Sequence, residues 1–133
     1  MNISRTIRLS HIRLELGRVN EFPEGSSRHG YEFIAPLTPA GHVDVDAWRK
    51  SRLRCGVRRF WGHDREEHGM LKHVGRGWRF DYGEPDESDE PFFKLDAHAF
   101  VPGNYVSIRE HDGVTRPFKV VEVSLLTVET AGE

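Results

Sequence analysis

The stretch Leu53–Tyr82, LRCGVRRFWGHDREEHGMLKHVGRGWRFDY, decides the reading of this chain. Leu53, Cys55 and Val57 alternate with Arg54, Gly56 and Arg58, a period of two that predicts a strand with one apolar and one basic face. Phe60 and Trp61 end it with adjacent aromatics on opposite faces. Gly62 to Gly69 is turn material, Met70 to Val74 is the returning strand, and Arg76-Gly77 turns the chain again. Trp78, Phe80 and Tyr82 then line one aromatic face of the next strand. The stretch predicts a meander of three antiparallel strands.

Toward the N-terminus, His11 to Leu16 alternates polar and apolar residues and Gly17 ends it. Tyr31, Phe33 and Ala35 mark a second strand that pairs with the first across a loop rich in Gly, Ser, Asn and Pro. Asp44 is placed to cap a short helix running through Arg52, with Val45, Trp48 and Arg52 on one side and Trp48 as its buried anchor. Toward the C-terminus, Gly83 to Pro91 is acidic with no apolar residue to bury and reads as a solvated loop. Phe92 to Val101 resumes as strand, and Tyr105–Glu110 pairs with Phe118–Leu125 across Asp112-Gly113. The fold class expected is mainly β, an antiparallel barrel or sandwich of about eight strands with one short helix. Residues 1–126 form a single β-rich domain, and residues 127–133 are expected to fray.

A chain of 133 residues is long enough for one ordinary core, and its eight Phe, three Trp and three Tyr exclude a disordered composition. Cys55 is the single cysteine, so no intrachain disulfide forms and a reducing, cytoplasmic setting is expected. Met1 to Leu16 interleaves Arg with Ile and Leu, which predicts neither a signal peptide nor a membrane span. The formal charge of −2 rises to +6 if all eight histidines are protonated, so self-association as a homo-oligomer is a pH-sensitive option.

Charge is unevenly distributed. Residues 49–79 hold ten Lys or Arg against three acids, whereas residues 81–96 hold seven acids against Lys94. Either the acidic loop screens the basic sheet internally, or both patches face partners. A binding face is expected at Arg54, Arg58, Trp61, Trp78 and Arg79, where guanidinium groups and indoles share neighbouring strands. Nucleic acid is disfavoured as the partner by a pI near 6.4.

Three weaker candidates are histidines. His63 and His68 flank a turn containing Asp64, Glu66 and Glu67, but their spacing is not that of a helical zinc motif. His98 shares a strand face with Lys94 and Asp96, a pattern that suits an acid–base pair but equally an ordinary cross-strand polar ladder. Cys55 lies on the apolar face, where a thiol is a small buried hydrophobe. No glycine pattern opens a helix in the manner of a phosphate cradle.

The segments Gly77-Trp78-Arg79-Phe80-Asp81-Tyr82 and His98 through Ile108, together with Trp48, Arg59-Phe60 and Gly69, resemble those of a group of small uncharacterised bacterial proteins. The resemblance covers Gly41 to Val123 and implies a bacterial, single-domain, β-rich protein but no activity. The function expected is that of a non-enzymatic binding module without cofactor or metal, engaging a small molecule or a protein partner. The alternatives are a metal- or His-dependent enzyme and a homo-oligomeric structural protein.

Overall fold

Alternating apolar and polar positions build almost all of this domain, and one short helix interrupts them. The computed structural model describes residues 4–75, 77–83, 90–94 and 99–131. The strands are β1 (Ser4–Leu16), β2 (Ser26–Ala35), β3 (Gly56–Trp61), β4 (Glu67–Val74), β5 (Gly77–Asp81), β6 (Glu90–Lys94), β7 (Tyr105–Arg109) and β8 (Thr115–Ala131). All pairings are antiparallel: each strand pairs with the next, and β8 pairs with β1. The result is a mainly β, strongly curled sheet.

Its concave face is the core. Ile12 and Leu14 of β1, Tyr31 and Phe33 of β2, Phe80 of β5 and Phe118 of β8 are all fully buried. Tyr31 and Phe33 each lie 5.2 Å from the Phe80 ring, and Tyr31 meets Phe118 edge-on at 5.1 Å. Such offset aromatic packing fills the interior with rigid, high-area side chains. Gly30 allows the tight curl between β1 and β2, since a Cβ there would lie 2.0 Å from the Leu14 carbonyl oxygen.

The helix α1 (Val45–Ser51) is the one expected, with Asp44 accepting a hydrogen bond from the Ala47 amide at 3.1 Å. That bond satisfies one of the N–H groups a helix start leaves without a partner. Trp48 turns inward, donates its indole N–H to the Leu71 carbonyl at 3.1 Å and meets Trp78 edge-on at 5.5 Å. The helix therefore closes over one end of the concave face.

Several boundaries differ from expectation. The strand predicted from Leu53 begins at Gly56, because α1 runs on into a turn of 3-10 helix at Arg52–Arg54. Leu53 is consequently not on an apolar strand face: it is 89% exposed. Cys55 and Val57 are buried as expected, and burial pushes the Cys55 thiol up to about 11. The turn predicted over Gly62 to Gly69 is shorter, since β4 starts at Glu67. Of the strand predicted over Phe92 to Val101, the part through Lys94 lies in β6 and residues 95–98 lie outside the described residues, while Phe100 enters the core from irregular chain, its amide donating to the Gly41 carbonyl. Past Thr127, where fraying was expected, β8 continues to Ala131 opposite Ser4 of β1. Most of the acidic loop, residues 84–89, lies outside the described residues.

Candidate functional site

Two polar constellations arise from the same strands, one on each face of the sheet. On the convex face, Arg13, Glu32, Arg58 and His68 stand directly opposite one another across β1, β2, β3 and β4. Cross-strand neighbours of opposite charge attract, and Arg13, Glu32 and Arg58 alternate in sign along this row. Arg13 contacts Glu32 at 3.0 Å, Arg58 bridges Glu32 and Glu66, and His11 reaches Glu32 at 2.9 Å. The guanidiniums of Arg13 and Arg58 also cover the Phe60 ring, at 4.5 and 5.0 Å from its centre. That cover explains why an aromatic on the outer face is only 8% exposed.

Beside this row lies a groove of about 380 Å³ between the convex face and the 3-10 turn, lined by His11, Ile34, Leu53, Arg54, Arg58 and His68 among others. Arg54 is exposed and makes no ion pair among the described residues. Exposed Arg49, Lys50 and Arg52 precede it on the same helical corner. Basic residues suit a helix C-terminus through the helix dipole, and that effect accounts for Arg49 and Lys50. It does not account for Leu53, a bare aliphatic side chain held between two arginines.

On the concave face, the end away from α1 carries a buried carboxylate. Glu110, whose side chain is 1% exposed, follows β7 and accepts from the Tyr31 hydroxyl at 2.8 Å, from Arg59 at 2.9 Å and from Arg116 at 2.8 Å. Arg59 continues to Glu67 at 3.5 Å, and Glu67 to His111 at 2.7 Å. Trp61 lies under Arg59 at 4.3 Å, with Arg116 at 5.8 Å. Burial alone pulls the Arg59 guanidinium down, but the Tyr31 hydroxyl and Glu110 outweigh it and hold the group firmly charged. Arg116, which donates to Asp112 and Glu110, is likewise raised, and Asp112 is held below the usual carboxylate range by Arg116 and the Val114 amide. No side-chain polar atom buried among the described residues lacks a partner. The constellation is an internal lock between β2, β3, β7 and β8.

The expected site residues are thus dispersed. Arg54 and Arg58 line one groove. Trp61 faces inward at the Glu110 end. Trp78 faces inward at the opposite end of the β3–β5 ladder, with His73 at 4.4 Å and Trp48. Arg79 sits opposite Lys72 on the convex side, outside the groove. His63 is exposed in the β3–β4 turn, and His68 lies on the convex face beside Glu66 at 3.7 Å. His98 lies outside the described residues, and among those described no three His, Cys, Asp or Glu side chains group as metal ligands would. From sequence, Tyr31 is assigned to a strand, but neither it nor Glu110 nor Arg116 has a place in a site. A signal for them exists: Arg59, Glu110 and Arg116 occupy the same alternation parity as Val57, Ile108 and Phe118.

His29 borders the inner lock. Its ring lies between Phe22 at 4.5 Å and Trp61 at 4.7 Å, and its Nδ1 meets the Ser26 hydroxyl at 2.6 Å. Burial, then the nearby Arg59 charge, lowers its pKa from the ordinary 6.5. The unfolded chain therefore binds this proton more readily than the folded one, so His29 costs stability as pH falls through the ordinary imidazole range, levelling off below the folded pKa. Urea midpoints at pH 7.5 and 5.5 should diverge more for the native chain than for His29→Gln; equal divergence would show that His29 is not the responsible group.

Comparison with protein-family models, with curated proteins and with solved structures finds no match for this chain.

Proposed function

We propose that this chain is a non-enzymatic binding module whose convex groove and basic helical corner engage an acidic segment of a protein partner. The observation that carries this reading is Leu53, 89% exposed at the lip of the groove beside Arg54, which has no ion-pair partner among the described residues. An exposed aliphatic flanked by arginines suits a partner that offers an apolar contact within an acidic sequence. Nearby Arg58 is already neutralised by Glu32 and Glu66, so it shapes the groove, whereas Arg54 supplies its available charge. We also infer that the curled sheet is a closed eight-stranded barrel and not a sandwich. The return pairing of β8 onto β1, from Leu16↔Phe118 to Ser4↔Ala131, supports that closure.

A fluorescently labelled peptide of Asp and Glu carrying one Leu should bind saturably, more weakly as salt rises. Arg54→Glu and Leu53→Ser should each weaken it about tenfold or more, equivalent to about 1.4 kcal/mol, without moving the unfolding midpoint. Undiminished affinity in both variants would remove this placement.

A further inference from the structure

A second concavity lies away from the groove, where β1 loses register with both neighbours. Along β2 the pairing steps from Glu15↔Gly30 to Leu16↔Ser26, leaving Ser27, Arg28 and His29 without partners on β1. Along β8 it steps from Arg13↔Glu122 to Leu14↔Val120, so Val121 bulges. Bulges re-aim side chains and open sheets locally, and they are concentrated beside functional sites. Ser27 and Val121, from the two opposed irregularities, both line a cleft of about 540 Å³ whose wall is predominantly polar.

The cleft is held in shape by its own contacts. The loop after β1 is pinned by the paired Val19 and Phe22 backbones, by Phe22 against His29, and by Gly17 donating to the Pro117 carbonyl at 2.8 Å. Gly25 closes that loop at φ +77°, where a Cβ would lie 2.7 Å from the Leu16 carbonyl oxygen. Arg13 satisfies the Ser27 carbonyl of the bulge at 3.0 Å. Around the rim stand Arg18, Glu24, Lys119 and Tyr105, the last 37% exposed. Arg18, Glu24 and Lys119 make no ion pair among the described residues, and Glu15, also in the wall, is held by Arg13 at 2.8 Å.

We propose that this cleft binds a small neutral saccharide. With Glu15 already held by Arg13, the wall presents Arg18 and Lys119 as donors and Glu24 as an acceptor, a mixture that suits a hydroxyl-bearing ligand, whereas a phosphate or nucleotide would also meet the Glu24 carboxylate. A hydroxyl both donates and accepts, and a sugar ring offers several to Arg18, Lys119 and Glu24 together while its C–H face rests on Tyr105. The volume is that of a small-ligand site, and the polar lining suits a hydroxyl-rich ligand better than an apolar one.

The test is a series of amide chemical-shift titrations of the full chain with cellobiose, maltose and diacetylchitobiose, each separately, with glutamine as a zwitterionic control. At least one disaccharide should saturably shift the amides of Gly17, Gly25, Ser27 and Val121. Tyr105→Ala and Lys119→Gln should each weaken that binding about tenfold, and Arg54→Glu in the convex groove should leave it unchanged. Should Tyr105→Ala lower the unfolding midpoint, the exposed Lys119→Gln decides alone. The proposal is overturned if none of the disaccharides shifts these amides, if glutamine shifts them at lower concentration than any disaccharide, or if Lys119→Gln binds undiminished.

Discussion

Replacing Glu110 with alanine is expected to lower stability by about 3–5 kcal/mol, the cost of removing the buried counter-ion from two largely buried guanidiniums, which keep the more exposed Glu67 and Asp112 as ion-pair partners. Tyr31, Arg59 and Arg116 converge on Glu110. Its removal leaves Arg59, with a side chain 11% exposed, and Arg116, 12% exposed, facing each other across an empty acceptor position. Domains of this size are stable by only about 5–15 kcal/mol, so the variant should unfold at a much lower urea concentration or fail to accumulate as folded protein. The pattern across variants matters more than the single value. Glu110→Gln keeps an acceptor for Tyr31 and should lose less. Replacing Glu110, Arg59 and Arg116 together by aliphatic residues of similar volume should recover much of the loss, since the desolvation cost of all three charges then disappears. A loss below about 1 kcal/mol for Glu110→Ala would mean that the two arginines relax into solvent and that the lock is loose.

The second large effect is expected at Trp48. Its side chain covers the opposite end of the concave face, 8% exposed, and links α1 to β4 and β5 through the Leu71 carbonyl, His73 and Trp78. Trp48→Ala should cost about 3–5 kcal/mol, combining lost apolar area with an unfilled cavity. Trp48→Phe should retain most of the packing and lose the hydrogen bond, at about 1 kcal/mol. Near-ultraviolet circular dichroism would report the Trp48–Trp78 pair directly: loss of its aromatic signal in Trp48→Ala at full far-ultraviolet strand content places the damage at this end. An unaltered urea midpoint in Trp48→Ala would show that α1 contributes little to holding the sheet.

Much of the architecture was legible because it follows from alternation. The parity of Tyr31, Phe33 and Ala35, and that of Trp78, Phe80 and Tyr82, assigns the inner face correctly. The capping Asp44 and the buried Trp48 likewise follow from local chemistry. Leu53 was misplaced because a helix running into a 3-10 turn can end on residues that happen to alternate, and three positions cannot separate the two patterns. The binding face was legible only in part. Concentrations of Arg and Trp were visible, but their division between faces depends on register. Arg58 points outward to Glu32 while its neighbour Arg59 points inward to Glu110. Glu110 carries no local signal beyond its parity. Arg116 lies only six positions on, across the turn after β7, but Tyr31 and Arg59 come from strands far away in sequence that only the sheet pairings bring near.

The bond from Tyr31 to Glu110 spans 79 positions of the chain. Closing a loop of such length costs chain entropy that pairing of the intervening strands would lower, so the lock is expected to close late in folding and not to nucleate it. Its consequence is kinetic. Weakening it should leave the rate of folding nearly untouched and accelerate unfolding, which makes the buried carboxylate a brake on opening.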